Sequence, residues 1–192
     1  MPSDLRQRRV FTRLSIAAGN AIQLAGLVAG WLLVLLAARA RIKTVAVAEM
    51  LAGILLIYLS CHAIAHWFVG RVLGIRFRFY TVGGAGDPQS WPMGLRWLMA
   101  HAPFFGVQTD KASIETARPI AKAALWSAGV TSSAVLPTLA ACWTRRAAIP
   151  GGKALFIFML IWSTGTLVGN IFRPTGDFFK ARMALKSGLR SP

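Results

Sequence analysis

Four long apolar runs divide this chain, and shorter stretches rich in Arg and Lys separate them. The runs are Ile16 to Ala38, Val45 to Val69, Ala123 to Trp143 and Ala154 to Phe172. Each is close to the roughly 20 apolar residues that cross a bilayer as a helix. The pattern predicts an α-helical integral membrane protein with four transmembrane helices. Arg6, Arg8, Arg9 and Arg13 precede the first run, as basic residues precede the core of a signal peptide. The run is too long for such a core and reads as a retained span. Leu136-Pro137 predicts a kink in the third span, because proline withdraws one backbone donor from the helix.

The segment between the second and third spans, Gly70 to Lys122, has a different texture. Ile75 to Val82 reads I-R-F-R-F-Y-T-V, an alternation near period two that predicts a short half-buried strand. Gly83-Gly84 and Gly86-Asp87-Pro88 supply turn residues, and a partner strand or hairpin is expected. Trp91 to Phe105 is rich in Trp, Phe, Met and Leu and reads as an interfacial segment, since aromatic rings favour the headgroup level. Thr109 to Arg118 is the most polar part.

Composition sharpens this picture. Of 192 residues, 55% are hydrophobic, and the mean hydropathy is +0.54, too apolar for an ordinary soluble domain. The 22 Lys and Arg against 6 Asp and Glu give a formal charge of +16. A nucleic-acid partner is not expected, because the basic residues form small clusters between apolar runs rather than a stripe with interleaved aromatics. The side holding both termini and the middle loop carries 16 of the basic residues. The positive-inside rule therefore predicts cytoplasmic termini in a multi-pass protein, with a plasma membrane as the expected location and the lipid bilayer as first partner. Cys61 and Cys142 both fall in apolar runs and form no disulfide framework or cysteine-based zinc site.

Candidate chemistry gathers at the end of the second span, in "HAIAH". His62 and His66, at i and i+4, lie on one helix face and can converge on one ion. Ionisable residues in a membrane helix are costly and face a cavity or the bundle interior. A zinc site with an open position needs a third protein ligand. The carboxylates are Asp4, Glu49, Asp87, Asp110, Glu115 and Asp177. Glu49 lies roughly 20 Å along the helix from His62. Asp177 follows the fourth span, which ends on the same side as the second. The residues alone leave a second reading open, in which Asp177 pairs with Arg173 or caps the following helix, and the histidines bond between helices.

Taken together these residues resemble the site-2 protease family, intramembrane zinc metalloproteases. "HAIAHWFVGRVLGIRFRF" is similar to the family's H-E-x-x-H helix with its following turn and strand. Gly83-Gly84 match the glycines that close that strand, "SAGVTSSAVL" is similar to a weak form of the AGP-containing helix, and "NIFRPTGD" to the N-x-x-P…D-G motif. The resemblance covers about Leu56 to Leu185. It implies that His62, His66 and Asp177 are the metal ligands of a zinc site. It implies that Asn170 lies near a substrate carbonyl. It further implies one membrane domain, with residues 1–44 a basic segment and accessory span and residues 45–192 a protease-like core.

The departures are chemical. Ala63 stands where the family has its general base, and a methyl group accepts no proton. The proline of the second motif is shifted by one place, Phe178 replaces a glycine, and Arg173 adds a positive charge. The expected function is that of a catalytically impaired member that acts as a binding, scaffold or regulatory subunit. Zinc is either retained or lost. Gly19, Gly26 and Gly30 offer a small-residue face to a transmembrane helix of another protein. The alternatives are an active metallopeptidase with an unusual base, for which Glu115, Asp110 and Asp87 of the middle loop are the candidates, or a metal-free structural subunit of a membrane complex.

Overall fold

The computed structural model describes residues 9–85 and 93–188. Its order is β1 (Val10–Leu14), α1 (Ile16–Ala37), α2 (Lys43–Val72), β2 (Phe77–Gly83), α3 (Met93–His101), β3 (Phe104–Thr109), α4 (Lys111–Thr116), α5 (Pro119–Arg146), α6 (Gly152–Phe172) and α7 (Asp177–Gly188). Four helices, α1, α2, α5 and α6, are long and apolar enough to cross a membrane, α6 being continued by α7 in one apolar stretch. They coincide with the four apolar runs: α1 stops at Ala37, just short of the expected end, and α2, α5 and α6 run a little beyond theirs.

Their packing leaves a wide apolar surface uncovered. Leu24, Val28 and Leu32 of α1, Leu55 and Phe68 of α2, and Phe158 and Ile161 of α6 are all exposed. An uncovered apolar surface of this extent fits lipid as its solvent. Inside, Val34, Ile54, Ile57, Ala140, Ala141 and Met159 join the four long helices in one cluster. Ala37, Ala46, Met50 and Ile149 close the bundle at one end. Ile75, Ala121 and Leu125 form a third cluster at the other end, where α2 leaves the bundle and α5 enters it.

The glycine face of α1 is used within the chain. A Cβ on Gly30 would meet the Gly53 carbonyl oxygen at 2.8 Å, and one on Gly53 would meet that of Gly30 at 2.6 Å. The two backbones touch where α1 crosses α2, the close approach that small residues permit in lipid. Gly26 abuts Ser60, and Gly19 abuts the Tyr80 ring. The face read as free for a partner helix is therefore taken by α2 and β2, because the chain's own second span supplies the complementary glycine.

Beyond α2 the chain turns at Leu73-Gly74-Ile75. Gly74 adopts a left-handed φ of 82°, its N–H donates to Arg71 O and that of Ile75 to Gly70 O. This pair of bonds satisfies the last carbonyls of α2 and is the glycine-dependent helix stop. The expected strand follows as β2. Its central residue, Tyr80, is fully buried and donates its hydroxyl to Asn20 Oδ1 of α1 at 2.7 Å. Burial raises the Tyr80 phenol above its ordinary range, so it serves as a donor.

The sheet has three antiparallel strands in the order β1-β2-β3, with Leu14 opposite Tyr80 and Phe77 opposite Thr109. It differs from a simple hairpin in two ways. β1 arises from the basic N-terminal flank, where V-F-T-R-L is too short to announce a strand. β3 straddles the border between the aromatic and polar parts of the middle segment, and α3 intervenes between β2 and β3. The Gly86-Asp87-Pro88 turn lies outside the described residues. Helix α3, within the aromatic stretch read as interfacial, has no buried residue, and its Met93 and Trp97 are highly exposed. Helix α5 runs on through Pro137, which is buried.

Candidate metal centre

His62 and His66 sit on the last two turns but one of α2, and their rings meet edge to face. Two features of α5 bring them into place. Gly129 has no side chain, and a Cβ there would overlap the His66 imidazole. Ser133, one turn on, lies 3.0 Å from His62 Nδ1. The backbone carbonyl of Leu125 lies 2.6 Å from His66 Nδ1. A carbonyl only accepts, so Nδ1 of His66 carries the proton and its Nε2 faces the other way. Both anchored rings thus turn Nε2 toward one point.

Asp177 reaches the same point from the other end of the chain. Helix α6 stops at Phe172, and residues 173–176 make a tight turn into α7. The turn is held by Asn170, whose Nδ2 donates to Thr166 O and whose Oδ1 accepts the Asp177 N–H at 3.0 Å. Gly176 packs against the Asn170 backbone where a Cβ would collide. Asp177 is the first residue of α7, and its carboxylate points at the histidines.

The result is a nearly equilateral triangle. His62 Nε2 and His66 Nε2 are 3.2 Å apart, and Asp177 Oδ2 lies 3.4 Å from the first and 3.3 Å from the second. Tetrahedral zinc with bonds of about 2.0–2.1 Å has ligand-to-ligand edges of about 3.3–3.4 Å, so the three atoms span one face of such a site. Electrostatics leads to the same place. His66 Nε2 holds a lone pair, because its proton is on Nδ1, and the ionised Asp177 Oδ2 is also acceptor-only. Two acceptors held this close are relieved by a cation, by an added proton, or by the Nε2–H of His62 when Ser133 donates to its Nδ1. Three ligand atoms of His and carboxylate type, with the outer ring nitrogens hydrogen-bonded, fit a divalent cation.

The three ligand side chains differ in exposure. The side chains of His66 and Asp177 are 9% and 13% exposed, whereas that of His62 is 37% exposed. Lys180, one turn along α7, donates to Asp177 Oδ1 at 3.1 Å and lies over the Trp126 ring, 4.7 Å from its centroid. Its side chain is 40% exposed. Trp126 in turn sets its ring edge to face with His66, 6.0 Å between centroids.

Each residue singled out in the sequence now has a location. His62, His66 and Asp177 come together, and Asp177 pairs with Lys180 in the same cluster. Asn170 holds the backbone of Asp177, with both ends of its amide engaged inside the chain. Ala63 is fully buried. Of the carboxylates considered as a substitute base, Asp110 caps α4 by accepting from Ser113 N, and Glu115 is exposed near Lys111. Asp87 lies outside the described residues. Among the described residues no further carboxylate joins the group. Cys61 is buried, with its Sγ 3.9 Å from Ser133 Oγ. Sequence reasoning missed Lys180, Ser133 and Trp126. The i, i+3 spacing of Asp177 and Lys180 was the one local signal available, since Ser133 and Trp126 meet α2 only through the packing of α5.

Comparison of the chain with protein-family models, with curated proteins and with solved structures finds no match.

Proposed function

We propose that this chain is a multi-pass membrane protein carrying a zinc-protease-like centre that keeps its cation and lacks its base, and that it works by binding rather than by hydrolysis. The observation that carries the reading is the triangle of His62, His66 and Asp177, whose edges are those of a tetrahedral zinc face. Convergence of the four sequence pieces supports the resemblance to the site-2 protease family. The HAIAH helix and the D-G-like segment supply the three ligand atoms. The helix containing "SAGVTSSAVL" supplies Gly129 and Ser133 beside them, and the LGI turn leads into the strand.

His62, His66 and Asp177 would hold the ion, Leu125 O and Ser133 orienting the two rings. Bound zinc supplies Lewis acidity, which lowers the pKa of water and polarises a carbonyl. Proteolysis needs in addition a positioned proton acceptor, a contribution of about 10²–10⁴-fold, and Ala63 provides none. What stays is recognition: a cation with an open side, next to an apolar surface in lipid. By the charge bias of the loops, the centre lies toward the cytoplasmic side with both termini.

A metal-free reading draws on the hydrogen bonds themselves. A second proton on His66 would bridge to Asp177 and close the network without an ion. One experiment separates the two. Elemental mass spectrometry of the detergent-purified protein is expected to find about one zinc per chain, lost when His62→Ala and His66→Ala are combined. A protein that purifies without metal and takes up none on dialysis against zinc would be the protonated network, and the reading as a metal centre would fail. In the zinc-loaded protein, membrane-peptide cleavage is expected to be absent.

A further inference from the structure

A charge balance at the centre points to what it binds. Asp177 is the one carboxylate in the cluster among the described residues, and Lys180 already pairs with its Oδ1. The two cancel. Neutral histidines add nothing, so a divalent cation on the three ligand atoms leaves two positive charges uncompensated at the end of a membrane bundle. Such charge is costly unless paired.

The cluster's two most exposed side chains are His62 and Lys180. The Lys180 ammonium has three N–H donors. One goes to Asp177 Oδ1, and the Trp126 ring takes up one side of the charge. Capacity for an anion therefore stays on Lys180. Trp126 and Asp177 hold the flexible lysine stem in place, so the ordering cost is met before any ligand arrives.

Resting on the reading of the triangle as a metal centre, we infer that the site takes an anionic ligand, a carboxylate, which enters between His62 and Lys180 and is recognised jointly by the cation and the Lys180 ammonium. The protein thereby becomes a receptor for a carboxylate-bearing group, such as a free peptide C-terminus, rather than for a neutral peptide bond. Lys180 discriminates charge, and His62, His66 and Asp177 keep the ion.

Cobalt-substituted protein tests this without any activity. Cobalt uptake reports the metal centre, and the visible cobalt spectrum reports the ligand. Acetate is the probe and acetamide its neutral counterpart. Acetate is expected to shift the cobalt bands saturably, and acetamide to leave them unchanged. Lys180→Met is expected to keep one cobalt per chain and to weaken the acetate response roughly tenfold or more, the scale of a lost hydrogen bond to a charged group. Lys180→Arg is expected to retain most of the response. Failure to bind cobalt in the native chain would remove the metal centre and this inference together. Normal cobalt uptake with no acetate response, or with equal responses in native protein and Lys180→Met, would overturn this inference alone. Loss of cobalt from Lys180→Met but not from Lys180→Arg would also overturn it, because Lys180 would then act by fixing Asp177.

Discussion

At the scale of single residues, the centre depends as much on an absent side chain as on those present. Gly129 is the position against which the His66 ring lies, and the ring cannot retreat freely because its Nδ1 is tied to Leu125 O. Gly129→Ala is expected to push the imidazole out of the triangle. Its zinc content should fall well below one per chain, and metal affinity should drop by about 10–100-fold, as when an orienting partner of a ligand is lost. Competition with a chromophoric chelator measures this directly. Far-UV circular dichroism should be unchanged, since alanine favours the helix. An unchanged affinity would mean that His66 is not a ligand. The pairing of His62 and His66 was legible at this scale, because i and i+4 share a helix face whatever surrounds them. The proton on His66 Nδ1 was not, because it depends on a carbonyl 59 residues away in the chain.

At the scale of elements, two contacts decide how the parts meet. The α6–α7 turn aims Asp177 through Asn170 and Gly176, and the α1–α2 crossing is set by Gly30 and Gly53. The crossing permits a clean test, since it lies away from the centre. Gly53→Val is expected to force the helices apart and to lower stability by about 1–3 kcal/mol, the usual cost of overpacking. Thermal unfolding in detergent should show a lowered Tm with zinc still bound at the reduced stability. An unaltered Tm would mean that α1 is not fixed against α2. Small residues at helical spacing could be seen in the sequence of α1. Which helix they would accept could not, because Gly53 sits in a run whose other residues are equally compatible with facing lipid.

At the scale of the whole molecule, the uncovered apolar surface and the charge bias lead to an orientation. Lys186, on α7, is expected on the cytoplasmic side, and Arg41, between α1 and α2, on the opposite side. With Cys142 changed to serine, single Lys186→Cys and Arg41→Cys variants can be labelled in intact cells by a membrane-impermeant maleimide. Arg41→Cys should label at once, and Lys186→Cys only after permeabilisation. The reverse pattern would invert the topology and place the centre on the other face.

What the sequence by itself determined were the four apolar spans, the strand after α2 and the convergence of two histidines. Each of these rests on a local period, of length, of two or of 3.6, that neighbouring residues carry together. The strands β1 and β3 escaped because each is five or six residues whose extended form is stabilised only by pairing with β2. Tertiary structure alone decided that the glycines of α1 face inward, that Lys180 pairs with Asp177 over the Trp126 ring, and that Asp177, 111 residues beyond His66, stands within 3.3 Å of it. Separation along the chain says nothing about distance once helices pack. Only the packing of α5 between α2 and α7 brings those atoms to one point.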